Sequence, residues 1–264
     1  MNDRGTIIDQ IINDTRRRLA ERKEQRSLAE LQHSISGSQP PVDLEACLQG
    51  DGIKLIAEIK RASPSRGWLS PNLEAASLAQ SYAQGGAAAI SVLTEPTYFK
   101  GSLDDLATAR GTSGLPLLCK DFILDVYQIY EARAHGADAV LLIVAILSPQ
   151  ELFSLIETTH LLGMSVLVEV HNELEIEKAL GGGARLIGIN NRDLTDFTVD
   201  LGTTRRLRSF IPSGIAVVSE SGINSHRDIA SLQEIGVDAV LVGETLVSSS
   251  DPAAKIKELL GGKG

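Results

Sequence analysis

The 264-residue chain has few aromatic residues, only two cysteines and no long apolar run. Aromatics make up 4% of residues against 43% hydrophobic residues in all, so a core must be packed mainly with Val, Ile, Leu and Ala. Cys47 and Cys119 lack metal-ligand spacing and form no disulfide framework, so both are expected to be free thiols in a reducing cytosol. No segment approaches the roughly 20 apolar residues of a membrane span, and the N-terminal stretch MNDRGTIIDQIINDTRRR is not expected to be a signal peptide.

Positive charge is also scarce, since the net charge is −9. This balance argues against a nucleic-acid partner or an anionic membrane surface, because both are bound through accumulated Lys and Arg. The five histidines show no HxH or HExxH pattern, so no metal is expected. The basic run RRRLAERKEQR at 16–26 contains acidic residues as well, and we interpret it as the solvated face of a helix. The negative net charge is still compatible with binding of a small anionic ligand, provided that basic residues are grouped at one site.

Apolar periodicity divides the chain into two parts. Residues such as Ile7, Ile11 and Leu19 recur at helical spacing near the start. The Ser/Gly/Pro-rich stretch HSISGSQPPVD then indicates a connector. We therefore assign residues 1–45 to an N-terminal helical extension with its connector, and residues 46–264 to a catalytic barrel domain.

The second part alternates short apolar runs with segments of helical periodicity. The runs are IKLIAEI, AAISVLT, LPLLCK, ADAVLLIV, MSVLVEV, ARLIGIN, IAVVSES and VDAVLVG. Strands that alternate with helices indicate a parallel sheet, and eight such units predict an α/β fold of the closed (β/α)8 TIM barrel type. A doubly wound open sheet is the alternative, but it has no natural place for eight evenly spaced units. Neither GxGxxG nor GxxxxGK[ST] supports a nucleotide-binding fold.

Charged and polar residues stand at the ends of five of these runs. Active sites of this fold lie at the carboxyl ends of the strands, and residues two apart in a strand share one face. The residues at these ends are Glu58, Lys60, Lys120, Glu169, Asn190, Arg192, Glu220 and Ser221. We interpret them as an acid/base cluster that points into one mouth. A structural ion network is the alternative.

Glycines follow the last two strands, in SESGINSHRD and VGETLV. Gly222 and Gly243, the latter followed by Glu244, lie where this fold commonly binds phosphate through backbone N–H groups. Lys60 and Ser63 would add a cation and a hydroxyl. We therefore predict a phosphorylated ligand, and we expect a side chain at Gly243 to block the phosphate while leaving the acid/base cluster intact.

Six segments together closely resemble one enzyme family. IAEIKRASPSRG, SVLTEPTYFKGS, LCKDFILD, VLVEVHNELE, IGINNRDL and SESGI are similar to indole-3-glycerol phosphate synthase of tryptophan biosynthesis, and the similarity covers nearly the whole chain. That family converts 1-(2-carboxyphenylamino)-1-deoxyribulose 5-phosphate to indole-3-glycerol phosphate, with release of carbon dioxide and water. The resemblance implies a carboxy-lyase without cofactors, a small phosphorylated aromatic substrate, and a cytoplasmic monomer.

The resemblance also implies roles for the strand-end residues. Lys120 is the general acid for ring closure, and Glu169 stabilises charge at the anilino nitrogen. Lys60 and Glu58 belong to the closure and dehydration steps, with acid and base left open between them. The remaining members complete the site: Asn190 holds Glu58 or a substrate hydroxyl, and Glu220 and Ser221 line the floor.

Further residues are expected to contact the substrate. Arg192 faces the substrate carboxylate, because a guanidinium matches its two oxygens. The apolar wall for the anthranilate ring is expected from Phe99, Phe122, Leu141 and Leu194, with plain core packing as the alternative. Cys119 precedes Lys120 and should face the helices. His171 shares a face with Glu169 and is placed at the rim without a role.

Two alternative functions stay open from the sequence. A phosphoribosylanthranilate isomerase-like barrel needs only one acid and one base. The Lys and Glu residues at the strand ends would then be more numerous than the reaction requires. A non-catalytic phosphate-ligand sensor would keep the glycine loops but would not need the acid/base cluster.

Overall fold

The structure, a computed structural model, describes residues 6–262, and its centre is a closed barrel of parallel strands. The strands are Lys54–Ile59 (β1), Ala89–Leu93 (β2), Leu117–Lys120 (β3), Ala139–Ile143 (β4), Ser165–Val170 (β5), Leu186–Asn190 (β6), Ala216–Glu220 (β7) and Ala239–Val242 (β8). Each strand pairs with its successor, and β8 pairs with β1 to close the ring. The predicted (β/α)8 TIM barrel is confirmed.

Helices surround the barrel and precede it. They are Ile7–Gln25 (α1), Leu28–Ile35 (α2), Leu44–Cys47 (α3), Ala75–Gly85 (α4), Leu103–Ser113 (α5), Val126–Ala134 (α6), Pro149–Leu161 (α7), Glu173–Gly181 (α8), Gly202–Leu207 (α9), His226–Gln233 (α10), Glu244–Val247 (α11) and Pro252–Leu259 (α12). A short hairpin, Ala62–Ser63 with Gly67–Trp68, follows β1. Within residues 6–262, no helix is long and apolar enough to cross a membrane.

Local sequence sets where several helices begin. Thr6, Ser27, Ser148 and Ser225 each accept a hydrogen bond from the backbone N–H three residues on, and the acidic residue at that position bonds back to the cap. Such reciprocal caps satisfy N–H groups that have no partner inside the helix, and each contributes about 1 kcal/mol. These starts are readable from the chain without any tertiary information.

The alternation of side chains along each strand separates an interior cluster from an outer layer. In β1, Ile56 packs inside the barrel, whereas Leu55 and Ile59 pack against the helices. Glu58 follows Ile56 on the inner face, so β1 delivers a carboxylate to the mouth. Cys119 lies in the outer layer, as predicted, and burial raises the pKa of its thiol to about 12.

The segment before β1 covers both ends of the barrel. Ile11 of α1 is buried among the interior side chains near the carboxyl-terminal mouth. At the other end, Leu44 of α3 joins the same interior cluster, and its N–H donates to Ser165 Oγ at 3.1 Å. The division between residues 45 and 46 therefore passes through α3. That division stays a proposal about independent folding.

The basic run of α1 packs partly on the barrel. Arg18 donates to the fully buried Glu95 at 2.7 Å, and Arg22 pairs with Glu131 of α6 at 3.1 Å. Glu95 also accepts the N–H of Phe99 at 3.1 Å, so the same carboxylate shapes the loop after β2. The interpretation of this run as a solvated face is wrong for Arg18 and Arg22, because acidic partners distant in sequence bind them.

Candidate active site

Four of the predicted strand-end residues form one continuous chain of ion pairs at the mouth. Lys60 Nζ lies 2.7 Å from Glu58 Oε2, and Lys120 Nζ lies 3.3 Å from Glu58 Oε1. Lys120 Nζ also lies 2.8 Å from Glu220 Oε2. One carboxylate thus bridges two ammonium groups, and one ammonium bridges two carboxylates. Two ammonium groups, which can donate protons, therefore lie beside two carboxylates, which can accept them, and all four side chains are largely buried.

The two carboxyl groups of this chain have opposite pKa shifts. Burial opposes ionisation of Glu58, but the Lys60 and Lys120 ammoniums outweigh it and lower its pKa from 4.5 to about 2. Burial raises the pKa of Glu220 to about 7, because Lys120 only partly offsets it and Glu169 and Glu58 add negative charge nearby. Glu58 is therefore a carboxylate at neutral pH, while Glu220 is divided between its acid and its anion.

Lys120 carries its proton at neutral pH. Burial lowers the pKa of an ammonium, but the carboxylates of Glu220, Glu58 and Glu169 outweigh it and hold the pKa of Lys120 above its usual value. A general acid must begin in the protonated form. Lys120 meets that requirement.

We expect Glu220→Gln to make the protein more stable at pH 8 than at pH 5, relative to the parent. Below pH 4.5 the Glu220 carboxyl is protonated in both states and does not destabilise the folded parent. Between pH 4.5 and about 7 the unfolded state loses this proton while the folded state keeps it, so the folded parent becomes less stable, and the loss is complete above about pH 7. The full difference corresponds to about 3 kcal/mol of unfolding free energy. Denaturant unfolding at both pH values measures it.

Glu157→Gln, at an exposed position of α7, is the control for the same chemical change. It should give no such pH-dependent gain. An equal effect of Glu220→Gln at pH 5 and pH 8 would contradict the argument.

An apolar cavity of about 110 Å³ opens beside this cluster. All four predicted wall residues line it: Phe99, Phe122, Leu141 and Leu194. The rings of Phe99 and Phe122 stand 6.2 Å apart at an interplanar angle of 39°. Glu169 lines the same cavity, so a carboxylate faces an aromatic-lined space.

Six further apolar residues of this wall were not predicted from the sequence: Ile8, Ile11, Pro64, Leu93, Ile143 and Phe197. Ile8 of α1 and Phe197 of the loop after β6 both line it. Phe197 has a left-handed backbone conformation, with φ of +62°, which is uncommon for a non-glycine residue. Helical spacing marked Ile8 as apolar but not which surface it would cover, and no sequence signal distinguished Phe197.

A larger, polar cavity of about 660 Å³ lies on the other side of the cluster. The predicted residues that line it are Glu58, Lys60, Lys120, Arg192, Ser221, Gly222, Gly243 and Glu244. Lys60, Lys120 and Arg192 line both cavities. Ser63 lies on the apolar side, whereas its neighbour Ser65 lines both. The structure thus places three cations between an apolar and a polar compartment.

Glu244 pairs with three cations of the polar cavity. Its carboxylate lies 3.0 Å from Arg192 and 3.2 Å from Arg66, with Lys60 at 4.0 Å. The loops after β7 and β8 carry no nearby Lys or Arg of their own, so these cations come from the loops after β1 and β6. The contact of Arg66 with this carboxylate was not predicted from the sequence.

Two glycines make room for buried carboxylates. A Cβ at Gly243 would overlap Glu58 Oε2, and a Cβ at Gly188 would overlap Glu220 Oε1. The expectation that a side chain at Gly243 would leave the acid/base cluster intact is therefore wrong, because β8 approaches Glu58 closely. Gly188, which was not singled out from the sequence, leaves the space that the Glu220 carboxylate occupies.

The end of β6 is organised by two asparagines. Asn190 Oδ1 accepts from the N–H of Arg192 at 3.0 Å, so it shapes its own loop rather than bonding Glu58 in this structure. Asn191, absent from the predicted set, is buried and donates through Nδ2 to the carbonyls of Glu220 and Ser221 at 2.8 and 3.1 Å. Asn191 thus fixes the end of β7, where Ser221 has φ of +68°.

Metal-ligating side chains are not grouped at this mouth or elsewhere among residues 6–262. No set of three or more His, Cys, Asp or Glu residues is placed to hold an ion there. The chemistry that the described residues offer is proton transfer between ammonium and carboxylate groups.

Comparison with known proteins gives a consistent match. The family model described as indole-3-glycerol phosphate synthase matches residues 8–259. Indole-3-glycerol phosphate synthase of Dehalococcoides mccartyi is 52% identical over 258 residues, which cover 96% of this chain and 100% of that protein. The enzyme of Mycobacterium ulcerans is 47% identical over 256 residues, covering 97% of this chain and 94% of that one.

Solved structures show a broader similarity of fold. Thiamine phosphate pyrophosphorylase from Pyrococcus furiosus matches with a TM-score of 0.61 and 20% identity, over 82% of this chain and 95% of that one. The 3-hexulose-6-phosphate synthase of Salmonella typhimurium matches with a TM-score of 0.64 and 12% identity, over 79% and 97% respectively. At such identities the likeness concerns the barrel alone.

Proposed function

The chain belongs to the indole-3-glycerol phosphate synthase family, and from that premise we propose how its side chains divide the reaction. The family is a group of carboxy-lyases in tryptophan biosynthesis. The reaction closes the ring of 1-(2-carboxyphenylamino)-1-deoxy-D-ribulose 5-phosphate, with decarboxylation and dehydration, to form indole-3-glycerol phosphate. Membership decides against the isomerase and sensor alternatives.

The observation that carries the assignment of roles is the position of Lys120 between the two cavities. The anthranilate ring fits the apolar cavity, and the phosphate fits the polar one near Gly222 and Gly243. The ketone carbon of the substrate then lies between them, beside the Lys120 ammonium. Lys120 donates its proton to the ketone oxygen while the ring carbon attacks C2′.

Glu169 acts on the aromatic side of the substrate. It lines the apolar cavity and is almost fully buried, so its carboxylate stabilises the positive charge that ring closure develops on the anilino nitrogen. Departure of carbon dioxide restores aromaticity. Arg192, now bound to Glu244, exchanges that partner for the substrate carboxylate.

Dehydration uses the remaining donor. Lys120 has released its proton in ring closure, so Lys60 protonates the leaving hydroxyl, and Glu169 removes the carbon-bound proton. Glu58, ionised by its two lysine neighbours, keeps both ammonium groups aimed at the substrate. Ser221 lines both cavities, Asn190 lines the apolar one, and Glu220 balances the charge of Lys120 at 2.8 Å.

A direct assay tests the proposal. The protein is incubated with the carboxyphenylamino-deoxyribulose phosphate, and indole fluorescence is followed together with carbon dioxide release in equal amounts. Inorganic phosphate should compete with the substrate if Gly222 and Gly243 bind the phosphate group. Binding without product would reject catalysis by this site.

We further propose that the enzyme acts as a cytoplasmic monomer. Light scattering of the purified protein tests its oligomeric state.

We expect Ile8→Ala to raise KM by a factor of about three to ten while kcat changes little, since a partly buried side chain that contacts a ligand contributes roughly 1 kcal/mol. Ile8 lines the apolar cavity from α1, so its loss weakens substrate and transition state alike. Steady-state kinetics measure the effect.

Ile12→Ala is the matched control. Ile12 lies on the same helix but does not line the apolar cavity. An Ile8→Ala variant with the same KM as the control would mean that the extension only covers the barrel.

A further inference from the structure

His171 lies directly behind Glu169 and connects it to a second carboxylate. Its Nε2 is 3.4 Å from Glu169 Oε1, and its Nδ1 is 3.1 Å from Glu175 Oε2. The ring is largely buried at 13% side-chain exposure. Among residues 6–262, neither cavity wall includes His171. An imidazole between two carboxylates, one of which faces the substrate, resembles the orienting arrangement found behind many general bases.

Glu175 is held firmly on the far side of the imidazole. Its Oε2 accepts from the His171 N–H at 2.8 Å, and its Oε1 accepts from Asn172 Nδ2 at 2.7 Å. Asn172 in turn caps α8. These two bonds fix the Glu175 carboxylate. Its contact with Nδ1 therefore fixes the orientation of the imidazole ring, and with it the direction in which Nε2 points. That direction is toward Glu169.

The Nε2 atom is the unsatisfied part of this arrangement. Within the described residues it is buried without a hydrogen-bond partner. A buried polar atom of this kind indicates a contact that forms during function or an ordered water. Glu169 Oε1 is close enough to become its acceptor after a small side-chain rotation.

We propose that His171 is a positioning residue for the reaction: its ring, anchored by Glu175, orients the Glu169 carboxylate toward the substrate. The inference rests on the proposed role of Glu169. In each cycle Glu169 accepts the proton from the substrate carbon and returns it to water, while His171 keeps its own proton. The imidazolium therefore contributes charge and direction rather than a transferred proton.

The surroundings favour the protonated ring. Burial lowers the pKa of His171, but the hydrogen bond to Glu175 and the charges of Glu169, Glu175 and Glu220 outweigh it and raise the pKa above 6.5. Asp193, in the loop after β6, adds a further negative charge toward the ring. The ring is protonated below this raised pKa and loses its positive charge as pH rises through it. Its contribution to turnover should therefore vanish on the alkaline side.

Two substitutions separate the two nitrogen atoms. The amide nitrogen of His171→Asn replaces Nδ1 and keeps a donor to Glu175, whereas that of His171→Gln replaces Nε2 and keeps a donor to Glu169. We expect kcat of His171→Asn to fall about tenfold below pH 7, and that of His171→Gln to fall less, since a neutral donor is about half as effective as a charged one. KM should stay within about twofold, because the ring lies outside the cavity walls.

The pH profile distinguishes this role from a structural one. The parent should lose activity on an alkaline limb set by His171, and both variants should lack that limb. The pKa of Glu220 is about 7, so Glu220→Gln is measured as well. It should retain the limb, displaced to lower pH, because one of the charges that raise the pKa of His171 is gone. In Glu175→Gln, which keeps the ring but removes the carboxylate that raises its pKa, the limb should move to lower pH.

The outcomes are distinct. Normal kcat in His171→Asn, a loss of equal size at every pH, or a rise in KM alone would overturn the inference. Failure of the parent to form product would instead reject the proposed function. Thermal unfolding shows whether His171→Asn folds. If it does not, the alkaline limbs of His171→Gln and Glu175→Gln decide. Loss of the limb in His171→Gln together with its shift in Glu175→Gln supports the role, and an unchanged limb in both variants rejects it.

Discussion

Turnover of Lys120→Met should fall by at least about a hundredfold, which is the usual contribution of a positioned general acid. Lys120 lines both cavities and is the ammonium that we propose protonates the ketone oxygen. Methionine has a similar length but cannot donate a proton. KM should change less than kcat, because the proton moves only in the transition state.

The variant should still fold, although Lys120 pairs with two buried carboxylates. Glu58 retains Lys60 at 2.7 Å, and Glu220 can take a proton at neutral pH because its pKa is already about 7. No isolated buried charge therefore remains. Circular dichroism and thermal unfolding check the fold, and single-turnover kinetics check the chemical step. Activity within a few-fold of the parent would remove Lys120 from the mechanism.

Glu58→Gln is expected to produce a loss of similar size by a different route. Glu58 is the only carboxylate among the described residues that pairs with both Lys60 and Lys120. The amide keeps the size of the side chain but releases both ammonium groups, which then repel each other and turn toward other anions. We expect kcat to fall by about a hundredfold or more, with the protein still folded.

The double variant Glu58→Gln/Lys120→Met tests whether the two residues act as one unit. If Glu58 works mainly by orienting Lys120, the second substitution should add less than about tenfold to the first. Losses that multiply fully would show independent roles. Glu95→Gln would be a poor control because that residue binds α1, so Glu157→Gln on the exposed face of α7 serves for the loss of one carboxylate.

The architecture and the side of the barrel that carries the site were readable from the chain. Alternating apolar runs and helical segments specify a parallel barrel, because each run can be buried only if helices cover its outer face. The period of two along a strand places Glu58 on the same face as Ile56, and Lys120 on the same face as Leu118. Both facts depend on local geometry, so they need no knowledge of neighbours.

Contacts between distant segments were decided only by the tertiary structure. The register of the strands sets Glu169 opposite Gly188 and Asn190 opposite Glu220. The Glu220 carboxylate fills the space that a Cβ at position 188 would need, so a glycine stands there. Closure of β8 on β1 brings Gly243 against Glu58, and this contact overturned the expected effect of a side chain there. No local pattern encodes which residue of one strand faces which residue of another.

The surroundings of the charged groups likewise needed the fold. Sequence spacing identified Glu58 and Glu220 as equivalent strand-end acids, yet two ammonium groups surround the first and only one reaches the second. Their pKa values therefore move in opposite directions, to about 2 and about 7. The chain by itself determined which side chains reach the mouth. Only the folded barrel determined their charges, because electrostatic energy depends on distance and burial rather than on order along the chain.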